Sequence, residues 1–172
     1  MQPAYGWIKT GKRKEIPANT GRARINLSGS IDVITHDVVI REDLTLNAES
    51  TIRFFQKIEE AYPKKRKIHI FCDNAPYYRN KMVKQYLDLS KIHLRFLPPY
   101  SPNLNPIERL WKWMKERVIY NTYYEHFDDF RGAVFGFFAV LSIATVESAV
   151  GQALRSRVRD KFSPIQAPST NC

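Results

Sequence analysis

Two short apolar runs, Ile68–Cys72 (IHIFC) and Ile92–Leu97 (IHLRFL), constrain this chain more than any other feature in it. Both are of strand length. Between them, KMVKQYLDL sets Met82, Val83, Tyr86 and Leu87 at helical spacing and predicts an inward face. Upstream, RINLSGSIDVI and DVVIRED read as strands, with THD as the turn between them. NAESTIRFFQKIEEAY then places Ile52, Phe55, Ile58 and Tyr62 along one helical face, and Pro63 stops the helix. Strands alternating with helices predict an α/β or α+β domain. Ile68–Cys72 reads as a buried strand and KKRK at 64–67 as a solvated basic linker.

The second half of the chain is helical in pattern. Residues 106–118 carry an apolar stripe of Ile107, Leu110, Trp111, Met114 and Val118. That stripe predicts Trp111 in the core and Trp113 on another face. The stretch 127–159 holds one or two further helices, with Phe127, Phe130, Val134, Phe138 and Leu141 as core. Residues 1–22 read as loop or hairpin. From Ser163 the chain is polar with two prolines, so one domain over 1–162 and a flexible tail over 163–172 are expected.

A chain of 172 residues with 44% hydrophobic and 13% aromatic content can bury a core. Its formal net charge of +10 suits a polyanionic partner, since lysine and arginine release counterions from phosphates. Cys72 and Cys172 give no disulfide framework and no zinc spacing; with Cys72 read as a reduced core thiol, a cytoplasmic location follows. The opening MQPAYGWIKTGKRK is too polar for a secretory signal. Ala133–Val146 has 14 residues, short of the roughly 20 that span a bilayer. The four histidines have no metal-ligand spacing and read as structural or surface residues.

Two acids stand out. In FLPPYSPNLNPIERLW, four prolines stiffen the approach to a helix that starts at Asn105-Pro106 and carries Glu108 in its first turn. Asp73 closes the IHIFC strand, where open sheets keep their ligands. Each has an ordinary alternative. Glu108 is placed for a capping box with Asn105, and Asp73 for a turn before NAP. Together, an acid on a strand end and another on a helix can converge on a hard divalent cation such as Mg²⁺. Arg109, Lys112, Lys115 and Arg117 line the polar side of the Glu108 helix, either as DNA-phosphate contacts or as a solvated face. Arg155, Arg157, Arg159 and Lys161 form a second basic series near the end.

IFCDNAPYYRNKMVKQYL, IHLRFLPPYSPNLNPIERLWKWMK and YGWIKTGK resemble the catalytic domain of mariner-like bacterial insertion-sequence transposases, members of the DDE superfamily. The resemblance runs from about Tyr5 to Val118, and 34 residues separate Asp73 from Glu108 as in one branch of that superfamily. It implies an RNase H-like mixed sheet flanked by helices. It also implies Asp73 and Glu108 as the second and third catalytic acids and metal ligands, with Mg²⁺ or Mn²⁺ as cofactor. The chemistry implied is cleavage and strand transfer of DNA at transposon ends and into target DNA.

The chain departs from that pattern in two places. The family's first catalytic Asp lies on a central strand upstream of the YGWI region, and only MQPA precedes Tyr5 here. The expectation is therefore an RNase H-like domain lacking its first strand, inactive or weak by itself. Asp32 and Asp37 do not match the missing position. Where relatives often carry a histidine five residues after the second Asp, this chain has Tyr78. The alternatives are a non-catalytic nucleic-acid-binding module, or a remnant that forms a homodimer through exposed sheet edges.

Overall fold

The computed structural model describes residues 10–11, 23–99 and 104–143. Most of the loop or hairpin expected over 1–22, the 155–161 basic series, Cys172 and the 163–172 tail lie outside the described residues.

β1 (Asn26–Ile31) and β2 (Val38–Asp43) form an antiparallel hairpin, in register from Asn26↔Asp43 to Ile31↔Val38. The turn is wider than THD. Asp32 Oδ1 accepts from the backbone N–H groups of Ile34 (2.7 Å) and Thr35 (3.0 Å), and His36 takes φ 63°. An aspartate supplies the acceptors that such a turn needs. α1 (Ala48–Ala61) starts at a capping box between Asn47 and Ser50. Thr51, Phe54, Phe55 and Ile58 are its buried face, one step round from the stripe expected, with Ile52 only half-buried.

β3 (Ile68–Cys72) and β4 (Ile92–Phe96) pair in parallel, from Ile68↔Ile92 to Cys72↔Phe96. A 3₁₀ turn (Pro76–Arg79) and α2 (Lys81–Leu89) make the crossover that a parallel pair requires. β3 is not buried on both faces: His69 is exposed and Phe71 is 63% exposed, because described helices pack one face alone. Met82 is likewise exposed, while Val83 is fully buried against α1. One carboxylate staples these elements. Glu59 on α1 accepts from Tyr86 Oη, Ser90 Oγ (2.8 Å) and the Lys91 N–H (3.1 Å). Burial pushes Glu59 up, but the donors together outweigh it and hold its carboxyl below the usual range.

α3 (Pro106–Met114) widens into a π turn over Lys115–Ile119, which the Tyr120 N–H closes on the Lys115 carbonyl at 2.9 Å. α4 (Phe127–Ile143) packs back on it. One core joins Leu110, Trp113, Met114 and Val118 to Val134 and Phe138 of α4. A second joins Val39 to α1, α2 and β4 through Phe54, Phe55, Ile58, Val83 and Ile92. The β1–β2 hairpin lies between them, with Val39 in the second core and Val38 and Ile40 against the first, as strand alternation dictates.

Both tryptophans pack with the first core, where only Trp111 was expected. Trp113 is buried, edge-on to Phe137 at 5.2 Å between ring centroids. Trp111 is half-buried and lies against Gly29 of β1. α4 meets both indoles, Trp111 edge-on through Phe138 at 5.6 Å and Trp113 through Phe137, and buries Trp113 the more deeply.

Candidate active site

Among the described residues the strands form two separate pairs, so β1 and β3 each have one edge without a strand partner. Both edges line a cavity of about 490 Å³. Phe54, Phe55 and Ile58 of α1 contribute to its walls, and so do Ile107 and Trp111 of α3. The turn after β1 meets Tyr62, just before β3, whose hydroxyl is pushed up to about 12 by burial and by Asp32 and Asp37. The cavity is thus a slot between sheet edges, apolar along its walls.

Asp73 and Glu108 both line this slot. Asp73 follows the last residue of β3, is exposed, and accepts the Ala75 N–H on Oδ1 at 3.1 Å. The turn expected as its ordinary role is therefore present, and one oxygen takes part in it. Glu108 is exposed in the first turn of α3. The Asn105 side chain makes no cap hydrogen bond, so the α3 start differs from the reciprocal box at α1. The Glu108 N–H donates to the Asn105 carbonyl at 3.2 Å, which fixes the backbone of that turn.

The surroundings favour hard ligands. Burial, followed by the charge of Asp73, pushes the Cys72 thiol up to about 11, so it stays protonated and is a poor soft ligand. Burial and then Asp73 also raise Tyr77, and burial and then Tyr77 raise Tyr78. Tyr78 stacks on Phe55 at 6.2 Å between ring centroids, against the second core. No cluster of three or more His, Cys, Asp or Glu suited to a metal occurs among the described residues. Two carboxylates on one cavity are of the donor type that a hard divalent cation takes, such a cation keeping waters or substrate oxygens in its remaining positions.

Lys112, Lys115 and Arg117 are exposed along α3 and its π turn, and Arg109 is half-buried. The structure also brings together residues that spacing kept apart: His69 and His93 are register partners, with ring centroids 5.5 Å apart. Asn74 and Arg79 beside Asp73 were not expected at the site. Asn74 lies next to the acid in sequence; nothing in the sequence flagged Arg79.

A family model described as DDE superfamily endonuclease matches residues 1–131. The chain belongs to the DDE superfamily endonucleases. It is 45% identical over 38 residues to an uncharacterized protein, y4pE/y4sA, of Sinorhizobium fredii, covering 22% of this chain and 28% of that one. Its fold is similar to that in the Mos1 transposase paired-end complex with left transposon end (TM-score 0.59, 15% identity, 94% of this chain and 48% of that one). It is also similar to the Mos1 strand transfer complex (TM-score 0.60, 17% identity, 93% and 49%). A third similarity is to a chain of the simian T-cell lymphotropic virus intasome in complex with PP2A regulatory subunit B56 gamma (TM-score 0.55, 15% identity, 86% and 52%). This chain spans about half the length of those solved chains. The RNase H-like mixed α/β fold expected from the sequence is the fold observed. No described helix is long and apolar enough to cross a membrane.

Proposed function

We propose that this chain is the catalytic portion of a mariner-like DNA transposase, with Asp73 and Glu108 as two of its catalytic acids. One observation carries the reading: in a DDE-superfamily chain, two acids from separate elements line the same cavity. Mg²⁺ or Mn²⁺ held between them would supply charge stabilisation and an activated oxygen for phosphodiester cleavage and strand transfer. The chain's own groups do the positioning. The Ala75 N–H fixes one oxygen of Asp73, and α3 holds Glu108. The protonated Cys72 adds no competing charge. Lys112, Lys115, Arg117 and Arg109 are positioned along α3 to neutralise DNA phosphates, and the +10 charge favours that partner.

Two carboxylates are one short of the triad that the resemblance implies, and among the described residues no strand pairs with the slot-facing edge of β1 or β3. The chain alone is therefore weak or inactive, and an extended segment bearing an Asp completes it. The test is Mg²⁺-dependent nicking of supercoiled DNA, with Glu108→Ala as control. Nicking near background is expected for the chain alone. A Glu108-dependent rise is expected once an Asp-bearing, alternately apolar peptide is added to fill the slot. Robust Glu108-dependent turnover without peptide would overturn the incompleteness; no Glu108-dependent turnover with peptide bound would overturn the catalytic role.

The edges of β1 and β3 that have no strand partner among the described residues favour a second reading. On that reading the chain is a non-catalytic DNA-binding remnant that dimerises edge to edge. It would bind DNA in a salt-sensitive way, survive loss of either acid, and double in mass by light scattering.

A further inference from the structure

The residue before Asp73 and the residue after it are both tied to the same residue, Leu97. The Leu97 N–H donates to the Cys72 carbonyl at 2.8 Å, and Asn74 Nδ2 donates to the Leu97 carbonyl at 2.9 Å. Leu97 therefore has both its main-chain groups engaged by the neighbours of one acid. It is also the first residue beyond β4, where the proline-rich approach to Glu108 begins.

Asn74 is itself held. Arg79 donates to Asn74 Oδ1 at 2.7 Å, which orients the amide so that its nitrogen faces Leu97. The Arg79 guanidinium in turn lies over the Phe96 ring, 5.2 Å from its centroid. Phe96 is the register partner of Cys72. The result is a closed bracket: Phe96, Leu97, Asn74, Arg79 and back to Phe96, with Asp73 next to Asn74 in the chain.

Phe96, Asn74 and Arg79 are exposed, Leu97 is half-buried, and none of the four belongs to either core, so core packing does not explain the bracket. The sheet does not need it either, because β3 and β4 are already paired over five positions. What the bracket does is extend the pairing past the sheet, to the point where one strand yields an acid and the other yields the loop to the second acid. From this geometry we propose that Asn74, oriented by Arg79, is a positioning residue that sets the spacing of Asp73 and Glu108 for a shared cation. The proposal rests on those two acids being a metal site.

The experiment is a Mn²⁺ titration of the full chain, read by the loss of the free-ion paramagnetic resonance signal, with thermal unfolding of each variant alongside. Asn74→Ala should raise the Mn²⁺ dissociation constant about tenfold, the usual scale for an outer-shell partner of a metal ligand, with little change in melting temperature. Arg79→Met, an exposed change that cannot unfold the core, should raise it about threefold, between wild type and Asn74→Ala. In a Glu108→Gln background, Asn74→Ala should have no further effect, since there is no pair left to space. A general loosening of the loop would weaken both backgrounds alike.

The outcomes are separable. If wild type binds Mn²⁺, Glu108→Gln binds it measurably more weakly, and both bracket variants bind as wild type does, the bracket has no positioning role and the metal site stands. Equal weakening by Asn74→Ala in both backgrounds also overturns the positioning role. If wild type does not bind, or Glu108→Gln binds equally well, the shared site itself is wrong and the bracket falls with it.

Discussion

Gly29, in the middle of β1, is the residue through which the sheet sets the position of the Glu108 helix. A Cβ built there would lie 2.6 Å from Trp111 Cζ2, 2.8 Å from Trp111 Cη2 and 2.8 Å from Ile40 Cδ1. Carbon atoms prefer about 3.5–4.0 Å, so Gly29→Ala demands that the indole withdraw by about 1 Å. Ile40 can answer with the free end of its side chain. Trp111 is a rigid ring fixed to α3, three residues beyond Glu108, and must move as a unit or carry the helix with it. Overpacking of this kind costs about 1–3 kcal/mol, and the stiffer unfolded chain returns about 0.4–1 kcal/mol. The net expectation is a loss of about 1–2 kcal/mol, or a melting temperature lower by about 2–8 °C for a chain of this size. Thermal unfolding by circular dichroism reads it directly. Trp111→Leu should relieve the clash, so that Gly29→Ala costs nothing in that background. A melting temperature for Gly29→Ala within 1 °C of wild type, or an equal cost in both backgrounds, would show that the contact does not hold α3.

Three further outcomes follow from the same structure. Trp113→Ala should cost about 3–5 kcal/mol in urea unfolding, as removal of a buried indole does, while Trp111→Ala, half-buried at the slot wall, should cost less. The Glu59 carboxyl is held below its ordinary value of 4.5 in the folded chain, so its stabilisation is complete above that pH and is lost as pH falls through the folded value. Glu59→Gln should flatten that part of the acid-unfolding curve. Alanine at Lys112, Lys115 or Arg117 should each weaken DNA binding without regard to sequence and reduce the salt dependence by about one phosphate contact in a gel-shift series.

Much of the site was legible because it depends on local chemistry. Asp73 was visible as the polar end of an apolar strand. Glu108 was visible because Asn105-Pro106 marks a helix start whatever the helix packs against. What could not be read are consequences of long-range pairing. The helical wheel over 106–118 assumes one uniform period and does not say which side α4 will cover, so it missed the burial of Trp113 beside Trp111. Met82 lies close to the apolar face of α2 but past the reach of α1, and so is exposed. His69 and His93 meet because β3 and β4 pair in register, a fact that their separation of 24 positions conceals. The slot is a property of two unpaired edges at once. The resemblance suggested an absent strand, but only the fold shows both edges lining a single cavity.

The account stands on one cation being held by two side chains. Crystals of the chain soaked in Mn²⁺ and measured at the manganese absorption edge would test that without any assay of turnover. A single anomalous peak within bonding distance of both the Asp73 and the Glu108 carboxylates is the expected result, absent after Glu108→Gln. A peak beside only one of them, or none at concentrations that saturate the solution titration, would contradict it.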